Sequence, residues 1–252
     1  MSKRKALITG ATSGIGLATA KTLAENNFDI IICGRRLERL KSLQDELSSL
    51  CEVKILSFDV SRSNEVKKAI NSLPDDWKVI DVLVNNAGNA HGLSPIQDGS
   101  IEDWDAMIDI NVKGLLYMTK EVIPGMVERE RGHVVNIGSI AGKEVYANGN
   151  VYCASKHAVD AINKGMLLDL NAYNIKVTSI NPGLVETEFS KVRFKGDEER
   201  ANNVYKGFDP LVAQDIADTI LFVVTRPAHV NISDLTIFPT AQASATTVNK
   251  SK

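Results

Sequence analysis

Ala6-Leu7-Ile8-Thr9-Gly10-Ala11-Thr12-Ser13-Gly14-Ile15-Gly16 opens with a short apolar run, turns through three glycines and then takes up a helical period toward Glu25. Glycines let the backbone bend sharply and come close to a pyrophosphate. The first turn of the helix behind them offers unpaired N–H groups and a partial positive charge to the same anion. Gly10, Thr12, Ser13, Gly14, Ile15 and Gly16 are therefore candidate phosphate contacts. The spacing is GxxxGxG, not GxGxxG. Alone, such a loop could be only a tight strand-to-helix connection; behind the first strand of a βαβ pattern it reads as a phosphate site.

Outward from this loop the alternation repeats. Short apolar, β-branched runs at 30–33, 53–58, 82–85, 133–137, 176–180 and 235–238 join 6–9 as strands, with helical periods near 15–25, 37–50, 63–73, 104–126, 151–173 and 214–224. Continuous apolar strands separated by helices imply a parallel sheet covered on both faces, with right-handed crossovers. The expectation is one α/β domain over residues 1–252, a Rossmann-type doubly wound fold with about seven strands. No repeat or low-complexity stretch divides the chain. The segment 184–210 has no clear period and is a candidate substrate loop. From Gln242 onward the tail is small and polar, expected to fray or join an oligomer contact.

Composition narrows the function. With 252 residues and 44% apolar content, a core can form without disulfides or metal. A formal net charge of −2 offers no electrostatic ground for nucleic acid or an anionic membrane as partner. Cys33, Cys51 and Cys153 lack metal-ligand or CxxC spacing, and His91, His133, His157 and His229 are isolated, so no metal site is expected. Lys3-Arg4-Lys5 precedes an apolar run that ends at Thr9-Gly10, too short for a signal core, which points to the cytoplasm.

Two further clusters carry chemistry. About twenty residues past the last loop glycine, NAD-binding domains usually present an acid to the ribose. Here the second strand ends in Cys33-Gly34-Arg35-Arg36, with two guanidinium groups where that carboxylate would stand. Arginines suit a 2′-phosphate through paired, charge-assisted hydrogen bonds, so Arg35 and Arg36 favour NADP, although they could simply open a solvated helix. Tyr152 and Lys156 stand four apart, on one face of a helix. A phenol titrates near ~10; a neighbouring ammonium is expected to lower that value and make Tyr152 a usable proton donor and acceptor. Ser139, just past the strand at 133–137, could donate a hydrogen bond to a substrate carbonyl.

In that order, the loop at 9–16, Asp59-Val60, Asn85-Asn86-Ala87-Gly88, Asn111, Ser139, Tyr152 with Lys156, and Pro182-Gly183 with Thr187 resemble the short-chain dehydrogenase/reductase family over nearly the whole chain. The resemblance implies roles. Tyr152 would be the general acid in carbonyl reduction and the base in reverse. Lys156 would tune it and hold the nicotinamide ribose, and Ser139 would orient the carbonyl. Asn111 would hold a water that relays protons from Lys156. Asp59 and Val60 would flank the adenine, Asn86, Ala87 and Gly88 would line the cofactor, and Pro182, Gly183, Val185 and Thr187 would hold its nicotinamide end.

Within the family, the stretches 81–88, 124–129, 192–197 and 227–232 resemble NADP-dependent 3-hydroxy acid dehydrogenases, also described as serine dehydrogenases or malonic semialdehyde reductases. That group implies a small-molecule substrate and a homo-oligomer, a tetramer being favoured. It also singles out Arg193, in the substrate loop, to read a substrate carboxylate, with Lys195 as second candidate. Two other functions compete: a reductase of bulkier carbonyls such as pteridines, sugars or steroids, and an NADP-sensing protein without turnover.

Overall fold

The computed structural model describes residues 3–251. β1 (Arg4–Thr9), β2 (Phe28–Gly34), β3 (Val53–Ser57), β4 (Val82–Asn85), β5 (Gly132–Ile137), β6 (Ile175–Pro182) and β9 (Asp234–Ile237) form one sheet in the order 3-2-1-4-5-6-9, with every pairing parallel. The seven-stranded doubly wound sheet is the one expected from the apolar runs. Its inner strands are largely buried on both faces, and alternate residues serve opposite cores. Ala6 and Ile8 of β1 join one hydrophobic cluster while Leu7 joins the other; Ile30 and Ile32 of β2 face the first, Ile31 and Cys33 the second.

Helices α1 (Gly14–Glu25), α2 (Leu37–Leu47) and α9 (Ala213–Val224) cover the first face through side chains such as Leu23, Leu40 and Ile220. On the second lie α3 (Ser63–Asn71), α5 (Leu115–Glu128) and α6 (Asn150–Leu170), contributing Val66, Met118 and Met166. α4 (Ile101–Ile108) runs into α5 through a π-helical turn, Asp109–Gly114, so the helical period read at 104–126 is one rod with a widened turn. After β3 the chain returns to place β4 beside β1. Strand order reverses there, and the crevice beyond the carboxyl ends of β1 and β4 is where such a sheet takes a ligand.

The segment 184–210, without clear period in the sequence, is built of short elements. It holds β7 (Val185–Glu186), α7 (Phe189–Arg193) and α8 (Glu198–Asn203), and β7 pairs with β8 (Leu211–Val212) just after it. Elements of two to six residues are too short to show a period. One expectation is corrected: the described tail does not fray. Gln242 is buried and its Oε1 accepts from the Leu184 N–H at 2.8 Å, while the Ser251 N–H reaches the Gly207 carbonyl at 2.7 Å. Polar side chains there satisfy the backbone of the substrate loop, which composition could not reveal.

Candidate active site

A cleft of about 690 Å³ opens at the β1/β4 crevice. Gly10, Thr12, Ser13, Gly14, Ile15, Arg35, Arg36, Asp59, Val60, Asn86, Ala87, Gly88, Ser139, Tyr152, Lys156, Pro182, Gly183, Val185, Thr187 and Arg193 all line it. Gly16 and Asn111 stand behind its wall instead. A Cβ on Gly16 would collide with the Gly10 carbonyl oxygen and the Asn86 side chain, so only glycine lets the loop close on itself there. Ser13 precedes α1 without capping it; its Oγ accepts from Arg36 Nη2 at 2.8 Å. The first N–H groups of a twelve-residue helix with no acid in its first turn thus border the cleft without a side-chain cap, as an anion site requires. These residues fit a dinucleotide.

At the end of the cleft beside β2, Asp59 Oδ1 accepts from the N–H and hydroxyl of Ser61 at 2.9 and 2.8 Å. Burial alone would raise its pKa; those bonds and the Arg35 charge outweigh it and hold the carboxyl below its usual value. Arg35 comes only to 3.7 Å of Asp59 Oδ2 and is largely exposed. Arg36 is fully engaged, donating to Thr12 Oγ1 from Nε at 3.0 Å and Nη2 at 2.7 Å, and to Glu188 from Nη1 at 3.2 Å.

At the other end, Asn111 sits in the π-helical turn and holds the main chain of Asn89. Its Oδ1 accepts from the Asn89 N–H and its Nδ2 donates to the Asn89 carbonyl, both at 2.8 Å; Nδ2 also reaches Ser155 Oγ at 3.0 Å. Lys156 is buried and donates to the Ile137 carbonyl at 2.9 Å. Burial lowers its pKa to about 8. The Tyr152 phenol is pushed above its ordinary range, first by burial and then by Tyr146; Ser139 and the Arg193 charge oppose the rise. Withdrawal from water dominates both groups and outweighs the lowering expected of a neighbouring ammonium; Arg193 is a cation that opposes the rise.

The Arg193 guanidinium lies 5.2 Å from the centre of the Tyr152 ring and 5.6 Å from that of Tyr146, whose Oη accepts from Nη2 at 2.6 Å. Gly92 anchors it from below, donating its N–H to the Arg193 carbonyl at 2.9 Å and accepting from Nε at 3.4 Å. Lys195 is turned away to Asp103, 3.0 Å from its Oδ2. Asn89, His91, Tyr146, Glu188 and Gln242 also line the cleft, and none was singled out from the sequence as a site residue. They belong to no spaced motif, so only the folded chain assembles them. Among the described residues no group of His, Cys, Asp and Glu could hold a metal, and no helix is long and apolar enough to cross a membrane.

Comparison with known proteins gives three findings. A family model described as "short chain dehydrogenase" matches residues 4–198. Among curated relatives, the NADP-dependent 3-hydroxy acid dehydrogenase YdfG of Salmonella typhi is 48% identical over 240 residues, covering 95% of this chain and 96% of the relative. Serine 3-dehydrogenase of Rhizobium radiobacter is 43% identical, with 95% of each chain covered. Among solved structures, a closed form of serine dehydrogenase complexed with NADP+ superposes with a TM-score of 0.93 at 45% identity, covering 96% of this chain and 97% of that one.

Proposed function

The chain belongs to the short-chain dehydrogenase family, and on that premise we propose that it is an NADP-dependent oxidoreductase of small 3-hydroxy acids of the serine type, or of the matching carbonyl such as malonic semialdehyde, acting as a single catalytic domain. When bound, the nicotinamide supplies or accepts the hydride. The protein's own residues do the rest. Tyr152, protonated at neutral pH, gives its Oη proton to the carbonyl oxygen in reduction and takes it back in oxidation. Ser139 donates a hydrogen bond to the same oxygen. Lys156, with a pKa of about 8, can return the proton near neutral pH. A Cβ on Gly88 would lie 3.2 Å from Asn111 Oδ1 and 3.6 Å from Lys156 Nζ, so the bare glycine keeps the approach between these two polar groups clear for a proton-carrying water.

One observation carries the substrate reading: a guanidinium held by Gly92 and Tyr146 directly over the ring of the proton donor. A planar cation there suits the carboxylate of a small acid, which could take the place of the Tyr146 hydroxyl. Lys195, paired with Asp103, is the weaker candidate. Arg193→Met should raise KM for serine and 3-hydroxypropionate about tenfold or more while leaving an uncharged alcohol of similar size little affected. An equal effect on both classes would place carboxylate recognition elsewhere. We further place the enzyme in the cytoplasm as a homo-oligomer, with a tetramer favoured. The exposed apolar side chains Leu116 on α5 and Leu168 on α6 support a contact between copies, which sedimentation tests.

A further inference from the structure

Three consecutive residues touch three parts of the cleft. The Thr187 side chain stands 3.4 Å from where a Cβ on Gly14 would lie, closing the substrate segment against the glycine loop. Glu188 Oε1 accepts from Arg39 Nη1 at 3.0 Å and its Oε2 from Arg36 Nη1 at 3.2 Å, joining residues about 150 positions apart. The Phe189 ring centre lies 5.7 Å from that of Tyr152, and its N–H donates to Thr187 Oγ1 at 3.2 Å. One short turn therefore links the phosphate loop, the arginines at the end of β2 and the proton donor.

A carboxylate among arginines that await a phosphate raises the question of competition. The hydrogen bonds answer it. Arg36 spends Nε and Nη2 on Thr12 and Ser13 and Nη1 on Glu188. Arg39 donates to Glu188 and, at 3.5 Å, to the Thr12 carbonyl. Arg35 alone of the three makes no side-chain hydrogen bond among the described residues, and its nearest ion-pair approach is 3.7 Å to Asp59. Burial would raise the Glu188 pKa, but hydrogen bonds from Arg39 and Arg36 hold it below the ordinary value, so the bridge is ionic at neutral pH.

We propose that Glu188 is a positioning residue for the cofactor. With Arg36 and Arg39 it forms a clasp across the cleft that retains the dinucleotide, and Arg35 is the arginine left to meet the 2′-phosphate. This rests on the NADP reading above but not on the substrate. Arg35, Arg36, Glu188 and Lys156 line one cleft, so a dinucleotide reaching from Arg35 to Lys156 would lie against the bridge, and on this proposal the ion pairs open before it leaves.

Dissociation rates measured by stopped-flow nucleotide fluorescence on the binary complexes, without substrate, test the proposal. Glu188→Gln should release NADPH and NADH about fivefold faster, each by the same factor, because the clasp encloses the nucleotide rather than reading its 2′-phosphate. Arg39→Met should act alike, and the double variant should be no faster than either single one. Glu188 is 47% exposed, so its replacement leaves the core intact. Unchanged rates, an effect on NADPH alone, or slower NADPH release would overturn the clasp, the last by making Glu188 a competitor of the phosphate. Unmodified protein that binds neither nucleotide would sink the cofactor reading itself, before any variant is made.

Discussion

The two ends of the central strands bury polar groups in opposite ways. At the amino ends, below β1, β4 and β5, Asp81 accepts from Arg131 Nη2 at 2.7 Å and from the Lys5 N–H at 2.9 Å, and Arg129 donates to the Ile80 carbonyl at 2.9 Å. His133 meets Thr178 Oγ1 at 2.8 Å, and burial drives its pKa down to about 3, so it stays neutral at any working pH. At the carboxyl ends of the same strands, burial brings Lys156 only to about 8, within reach of proton exchange. Desolvation acts at both ends. Below, most of it is answered by partners or by neutralisation, although Arg129 Nε and His133 Nδ1 are buried without a hydrogen-bond partner; above, it leaves shifted groups in a cleft, where they can do chemistry.

Three experiments break or sharpen this contrast. The largest effect should come from the cleft. Tyr152→Phe removes one hydroxyl and should lower kcat by roughly 10²–10⁴-fold with the melting temperature and NADPH binding nearly unchanged. A variant that kept most of its turnover would remove Tyr152 from proton transfer.

Asp81→Ala addresses the lower end. It strands the Lys5 N–H and frees Arg131, and should cost about 1.5–3 kcal/mol in urea unfolding with kcat per folded molecule unchanged. An unaltered midpoint would mean that these pairs are surface decoration.

The smallest effect is a pH dependence. The folded His133 value lies below the unfolded one, so the fold favours the neutral ring. Its contribution is complete above about 6.5 and is lost as pH falls toward 3. Between pH 6.5 and 5 the protein should lose about 2 kcal/mol from this group. His133→Gln keeps a hydrogen-bonding side chain that does not titrate, and should flatten that slope. If both proteins soften equally in acid, other groups carry the effect.

Much of this was legible in the sequence. Seven apolar runs became the seven strands, because a buried parallel strand must be apolar on both faces and leaves an unbroken signature. The cleft residues named from motifs gather at one site, apart from Gly16 and Asn111 behind its wall. Two features escaped. β7 and β8 pair over two residues each, too few for any pattern. Gln242 sits in a small, polar tail, and its part in the fold comes from the Leu184 N–H it satisfies and the cleft it lines.

The order of motifs along the chain was enough to specify the sheet, the glycine turn after β1, the tyrosine–lysine pair on α6 and the family, because each depends on contacts within a turn or on a strand-to-helix step. Which cation meets which acid or phenol was decided by the tertiary structure. Spacing placed Lys156 as the neighbour that tunes Tyr152, yet Arg193, 41 residues further on, is the cation over its ring. Sequence put Arg193 first and Lys195 second as readers of a carboxylate, and the fold sends the first to the cleft and the second to Asp103. Charge interactions depend on distance and on exclusion of water, and across a sheet both are set by where the chain returns, not by how far apart residues stand in sequence.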